Sequence, residues 1–362
     1  MAPVKIIAFN LPQFHPIPEN DQWWGAGFTE WRNVAKSRPL FPGHRQPNLP
    51  GELGFYDMRL DETQEQQAEL ALWGGIDAFC YYHYWFAGRL LLERPIERLL
   101  ARRTPRLPIC LCWANHTWTN HWGGLSDDIL VDQTYPGVED HRNHYLYWRR
   151  FFSDARYLRI DNRLVVVIFR PNDIPDVSRF IDLFQQWAAE DGLGSLFFIG
   201  LDHDQSLLKA GFDALAPHSM NRALASYLKG SRRLLHFARN KFLRYPRWVI
   251  DYARLAPFFE NHLSDGVTMI PTALPNWDNT PRICRRGFVL ANSSPARFAA
   301  HLRRSVEGFN GINGGRERIL FIKSWNEWAE GNYLEPDLLH GRGWLEAVKD
   351  FAEEMRKGAG HG

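Results

Sequence analysis

With 362 residues, 45% of them apolar and 23% charged, the chain has ample material for a large buried core. Its 43 basic and 41 acidic residues leave a formal charge of +2, too small to predict a nucleic-acid partner. No run of about 18 apolar residues marks a membrane span, and the apolar stretch in MAPVKIIAFNLPQFHP is too short for a signal peptide. The four cysteines form no metal pattern, since Cys110 and Cys112 are two apart and Cys80 and Cys284 are isolated. Buried thiols in a reduced, cytoplasmic protein are the expectation.

Apolar, β-rich runs recur along the chain: VKIIAF (4–9), IDAFCYYHYW (76–85), LPICLCW (107–113) and RLVVVIF (163–169), then SLFFIGL (195–201), FDALAP (212–217), VTMIPTAL (267–274) and RILFIKSW (318–325). They are nearly continuous rather than alternating, as strands buried on both faces of a parallel sheet should be. Helical patterns fall between most of them, at 62–74, 91–103, 139–153, 178–191 and 295–309, with a last one at 343–357. Eight strands interleaved with helices predict an α/β fold, a closed (β/α)8 barrel with elaborated loops, in one domain over residues 1–357. An open doubly wound sheet is disfavoured, because no glycine-rich phosphate turn follows the first strand. Residues 358–362 read as a disordered tail.

The strand ends carry the chemistry. They read NLPQFH, HYWFAG, WANHTWTNHW, RPND, DHD, HSMNR, PNWDNTPR and NEWAEGN. Catalytic groups of such barrels lie at the carboxyl ends of the strands, and tryptophans interspersed with amides, histidines and carboxylates suit a carbohydrate. The loop 10–48 reads as a lid bearing His15, Trp23, Trp24, Glu30 and Trp31. His83 ends the second strand, Trp113, Asn115 and His116 the third, and Trp277 and Asp278 the seventh. No histidine or carboxylate spacing makes a metal site, so no metal is expected.

Directly after the eighth strand, SWNEWAEGNYLEPD (324–337) places Glu327 and Glu330 three residues apart, with Glu335 further on. Glycoside cleavage needs one carboxyl to protonate the leaving oxygen and a second as base or nucleophile. A tight turn would aim two such groups into one pocket and push their pKa values apart.

Long stretches here, FNLPQFHPIPENDQWWGAGFTEW, GIDAFCYYHYWFAGRLLLERP, LCWANHTWT, WDNTPR and SWNEWAEGNYLEPD, resemble the WbsX-like proteins of bacterial polysaccharide gene clusters. That group is related to glycoside hydrolase family 99, the endo-α-mannosidases. The resemblance spans nearly the whole chain and implies a (β/α)8 barrel without cofactor, acting on an oligo- or polysaccharide at the cell surface. It maps Glu327 as base and Glu330 as general acid, with Asn326 and the adjoining Trp325 in substrate binding. It also implies a retaining mechanism in which the base deprotonates a sugar 2-hydroxyl, and that oxygen closes a 1,2-anhydro ring that water reopens. Two positions depart from the family pattern: His116 stands where a glutamate is usual in W-A-N-E, and Gly123 where an aspartate is usual in W-D-G. The subsite chemistry should differ accordingly.

One segment is of another kind. Residues 222–254, RALASYLKGSRRLLHFARNKFLRYPRWVIDYAR, carry a single acid, Asp251, among many basic residues. The pattern predicts a helical insertion between the sixth and seventh strands, solvated or else drawn to an anionic membrane or charged glycan. Two other functions compete with hydrolysis. A glycosyltransferase would want a D-x-D metal motif, for which only DHD (202–204) offers itself, and a silent glycan-binding module would not need both glutamates.

Overall fold

Apolar runs without alternation need apolar neighbours on both faces, and a ring of parallel strands supplies them. The computed structural model describes residues 3–102, 104–120, 128–217, 220–260, 263–264, 267–312 and 314–359. The ring is built from β1 (Val4–Asn10), β2 (Ala78–Phe86), β3 (Ile109–Trp113), β4 (Arg163–Ile168), β5 (Leu196–Gly200), β6 (Ala214–Leu215), β7 (Thr272–Ala273) and β8 (Arg318–Ile322). Hydrogen-bonded neighbours follow the path β6-β5-β4-β3-β2-β1-β8-β7, all parallel. The remaining gap is crossed by the Ile270 amide, which donates to the Leu215 carbonyl at 2.7 Å. The expected (β/α)8 barrel is what the chain forms.

Residues 164–168 of β4 are wholly buried, as are most residues of β2, β3 and β5. Each such Val, Ile or Phe contributes about 1.5–3 kcal/mol through its removal from water. β6 and β7 pair over only two residues each, shorter than the runs FDALAP and VTMIPTAL suggested. Prolines account for this, because Pro217, Pro271 and Pro275 have no amide to donate. The Pro271 carbonyl still accepts from Phe321 at 3.0 Å, so the seam between β7 and β8 holds.

An outer layer of helices covers the ring: α1 (Asp61–Trp73), α2 (Arg94–Arg102), α3 (Val138–Phe152), α4 (Val177–Glu190) and α5 (Ser206–Lys209). Two helices, α6 (Met220–Tyr227) and α7 (Ser231–Leu243), belong to an insertion, and the layer closes with α8 (Pro295–Val306) and α9 (Gly343–Ala359). Their ends carry ordinary signals. Asp176 caps α4 by accepting from the Arg179 amide, and Ser294 caps α8 ahead of Pro295. α9 runs to Ala359, past the point where a tail was expected to begin at 358; residues 360–362 lie outside the described residues, as does Gly123. Among the described residues no helix is long and apolar enough to cross a membrane.

The insertion expected at 222–254 holds α6 and α7, then a strand Trp248–Asp251 that pairs in parallel with Phe288–Ala291. It has a small core of its own, including Tyr227, Ile250, Tyr252, Leu255, Trp277, Phe288 and Leu290. This body stands against the carboxyl ends of the ring strands, where it can wall a site.

The first and last helices meet at Gly74 and Gly75. Gly75 has φ +78°, and a Cβ there would lie 2.7 Å from Cβ of Ala352 in α9. Gly75→Ala should therefore cost about 2–4 kcal/mol, combining left-handed strain with overpacking, and lower the urea midpoint of unfolding. An unchanged midpoint would mean that α9 does not close on α1 this tightly.

Candidate active site

The RILFI run ends at Ile322, and the polar residues that follow are folded into a stiff hairpin. Asn326–Glu327 pairs antiparallel with Asn332–Tyr333 across a turn at Gly331. That turn needs glycine, because φ is +63° and a Cβ would lie 2.9 Å from the Asp278 amide nitrogen. Asp278 N–H donates to the Glu330 carbonyl at 2.6 Å, tying the β7 loop to the β8 loop. Trp328 stacks on Tyr333 with ring centres 3.8 Å apart, and Trp31 of the first loop packs on Trp328 at 5.6 Å.

This hairpin holds Glu327 and Glu330 side by side in opposite environments. Burial works against a charge on Glu327. It is outweighed by the Lys323 ammonium at 3.7 Å, a hydrogen bond with Glu330, the Arg282 guanidinium and the Ser324 hydroxyl at 3.0 Å. Together they hold its carboxyl well below the usual range. Glu330 goes the other way: burial and the neighbouring Glu327 charge push it up, overcoming Arg282 and Lys323. Arg282 is itself buried and bridges two acids, donating to Glu330 at 2.5 Å and pairing with the fully buried Glu30 at 3.2 Å. One carboxylate and one neutral carboxylic acid in contact are what acid–base chemistry on neighbouring oxygens requires.

Aromatic rings floor the site. Contacts run from Phe321 to Phe9 (5.1 Å), to Tyr82 (5.4 Å), to Phe169 (6.2 Å) and to His116 (5.3 Å). The Tyr82 hydroxyl is buried, has no hydrogen-bond partner among the described residues, and feels the charges of both Glu327 and Glu330. Beside the floor opens a cavity of about 520 Å³ at the carboxyl ends of β4, β5, β7 and β8. Phe169, Asp202, Trp277 and Lys323 line it from the barrel, and Leu224 and Trp248 from the inserted body. Lys323 reaches both the Trp277 ring, at 5.5 Å, and Glu327.

Of the residues expected at the site, Glu327, Glu330, His116 and Trp277 converge here. Burial, with Arg170 and Lys323 nearby, pushes His116 down to about 4, so it is neutral at ordinary pH. Trp23 is half-buried and edge-on to Trp118, which in turn meets Tyr84, a neighbour of Glu327. Trp24 packs on Phe28 within the first loop. That loop is bolted down by the Trp31 indole, which donates to the Tyr56 carbonyl at 2.8 Å.

Other expectations are corrected. His83 points out of the barrel, stacking on Tyr147 with its Nε2 at 2.9 Å from Nε2 of His144 in α3. Trp113 faces the same way, against His144 and Phe180. Trp325 is fully buried against Phe79. Asn326 has no amide group to spare for a sugar: its Oδ1 accepts from Leu11 N–H at 2.7 Å, and its Nδ2 lies against the Leu11 carbonyl and the Tyr56 hydroxyl. Asn115 clamps Arg170 through both backbone groups, and His15 is buried on the Pro12 carbonyl. Asp278 accepts from His44, Gln46 and Thr280. Asn326, Asn115 and Asp278 are fasteners between loops. Among the described residues no group of three His, Cys, Asp or Glu could hold a metal ion.

Sequence reading missed Arg282, Lys323 and Tyr82. Strand alternation could have found Tyr82, since Tyr82 and Tyr84 must face opposite to His83. Nothing in the sequence marks an arginine 252 residues away as the partner of Glu30.

The family model described as Glycosyltransferase WbsX matches residues 6–348. The chain belongs to the WbsX family. WbsX relatives described as Uncharacterized protein WxcX, from two strains of Xanthomonas campestris pv. campestris, are 38% identical over 352 residues. The alignment takes in 96% of this chain and 49% of each relative, so the chain spans about half their length. Among solved structures, the GH99 endo-alpha-mannosidase from Bacteroides thetaiotaomicron is similar at TM-score 0.58 and 14% identity, covering 98% of both chains. A glycoside hydrolase-like protein matches at TM-score 0.59 and 14% identity, over 97% of this chain and 94% of that one. Both show the shared barrel fold.

Glu335, the third carboxyl, belongs to the scaffold. It accepts from Tyr56 (2.9 Å), Gln67 (2.7 Å) and Trp328 (2.6 Å), and burial pushes it up to about 7 despite these donors. A raised carboxyl stabilises the fold below pH 4.5, and that contribution, about 3 kcal/mol, is lost as pH rises through 7. Glu335→Gln should keep the fold, and its urea midpoint should fall less than that of the unmodified chain between pH 4.5 and 7. Parallel midpoint curves would contradict this; Glu30 and Glu330 add slopes of the same sign that the substitution leaves in place.

Proposed function

We propose that the chain is a retaining glycoside hydrolase acting within an α-mannoside-like glycan of the bacterial cell surface. The observation that carries this reading is the contact pair: an ionised Glu327 held by Lys323 and Arg282, and a protonated Glu330 beside it. Two carboxyls from one hairpin are suited to neighbouring oxygens of one sugar. Glu327 takes the proton of the 2-hydroxyl, whose oxygen bonds to the anomeric carbon as the glycosidic bond breaks. Glu330 gives its proton to the departing oxygen. Water then opens the 1,2-anhydro ring, its proton passing to Glu330 while Glu327 returns one to the 2-oxygen. The chemistry needs a 2-hydroxyl trans to the leaving group, as α-mannosides have. Trp277 and Phe169 offer ring faces for a sugar in the adjoining cavity.

Glu330→Gln should lose about 10²–10⁴-fold on a natural glycan and far less on a glycosyl fluoride, whose leaving group needs no proton. Glu327→Gln should lose comparably on both. Equal losses from Glu330→Gln on the two substrates would remove its assignment as the acid. A 2-fluoro sugar with an activated leaving group should neither turn over nor label the enzyme, as read by intact-protein mass spectrometry. A stable adduct on Glu327 would identify a conventional nucleophile instead.

The family's description favours a second reading, transfer of the sugar to a hydroxyl acceptor in place of water. The same pair serves that reaction if the acceptor deprotonates on Glu330. Product analysis with and without a glycan acceptor separates the two: chain lengthening supports transfer, free reducing ends support hydrolysis.

A further inference from the structure

Helix α7 is packed with its polar side inward. His236 is buried against Trp248 with ring centres 5.6 Å apart, Asn240 donates to the Tyr245 carbonyl at 2.8 Å, and the Arg239 guanidinium lies over the Tyr245 ring. The opposite face holds Leu234, Phe237, Ala238, Lys241 and Phe242, spaced i, i+3, i+4, i+7 and i+8. Leu234 is 71% exposed, Phe237 62% and Phe242 74%, with Leu235 and Leu243 also open beside them. An apolar stripe at this spacing normally faces a core, and here it faces outward.

The charge around it is equally one-sided. Residues 222–247 contain eight of the chain's 43 basic residues and none of its 41 acidic ones, so the rest of the molecule is net negative. Arg233 and Arg244 flank the stripe, and within it the Lys241 ammonium lies 5.9 and 5.7 Å from the Phe237 and Phe242 ring centres. Long basic side chains laid along aromatic rings keep their heads at the edge of an apolar surface. A second copy of this chain would bring its own eight positive charges against these, which disfavours self-association through this face.

We propose that α7 docks the protein onto an anionic lipid surface, lying in the interface plane with Leu234, Phe237 and Phe242 inserted and the basic flanks on lipid headgroups. The geometry and charge are those of an in-plane helix. The docked helix is joined to the barrel cavity, since Leu224 before it and Trp248 after it line the same cavity as Lys323. A membrane-bound protein would therefore hold that cavity close to the lipid surface. This inference does not depend on the glycan reading, because binding is measured without turnover.

The test is co-sedimentation of the full chain with phosphatidylcholine vesicles, with and without phosphatidylglycerol. Binding is expected with the anionic lipid only, and added salt should weaken it. The set Leu234→Ser, Phe237→Ser, Phe242→Ser and the set Arg233→Gln, Lys241→Gln, Arg244→Gln should each lower partitioning by at least about tenfold. All six positions are exposed, so circular dichroism and the thermal midpoint should be unchanged. The emission of a Phe237→Trp variant, taken as the difference from the unmodified chain with its 15 tryptophans, should blue-shift on binding. Equal binding to neutral vesicles, binding untouched by either set, or no blue shift would overturn the proposal. So would association with dextran sulfate in the absence of vesicle binding, or a dimer in gel filtration that the serine set dissociates.

Discussion

Arg282 is the interaction on which the glutamate hairpin depends. A guanidinium buried between Glu30 and Glu330 neutralises one while restraining the other, and with Lys323 it brings two positive charges to three carboxyls. The group is one proton short of neutrality, and a buried cluster does not tolerate the excess charge. Burial and the adjoining Glu327 charge put the proton on Glu330 despite its bond to Arg282, leaving Glu327 ionised beside Lys323. Acid and base thus arise from one charge count across the first loop, the β7 loop and the β8 hairpin.

Around that cluster the polar residues mostly hold loops to one another. Asn326 joins the hairpin to the end of β1, Asp278 joins the β7 loop to His44 and Gln46, and Asn115 joins β3 to β4. Removing such a residue leaves several buried donors unpaired, each costing about 1–3 kcal/mol. The groups that line the floor and the adjoining cavity are aromatic and cationic: Tyr82, Phe169, Trp277 and Lys323.

The barrel was legible because eight runs such as VVVI and CLC have no solvent face, and helical patterns separate most of them. That same property hid the direction of side chains. In CYYHYW every residue is buried, so no polarity distinguishes Tyr82, facing the pair, from His83, facing α3. The glutamate pair was readable because both acids lie in one hairpin; its cations were not, since Arg282 arrives from another loop. Asn326 and Asp278 were misread because a polar residue at a strand end looks alike whether it clamps a backbone or greets a sugar. In α7 the helix was visible in the sequence, but which of its faces turned outward depended on Trp248 and Tyr245 beyond its end.

The Asn326 clamp bears on how the molecule is made. It joins positions 315 residues apart, and the strand it follows is the last of the ring to be synthesised. A ribosome delivers β1 before β8 and its glutamates, so a nascent chain that stops short of β8 holds Leu11 and Tyr56 without Asn326. The buried charge cluster and the closed ring should then arise in a single step, with a high loop-entropy barrier.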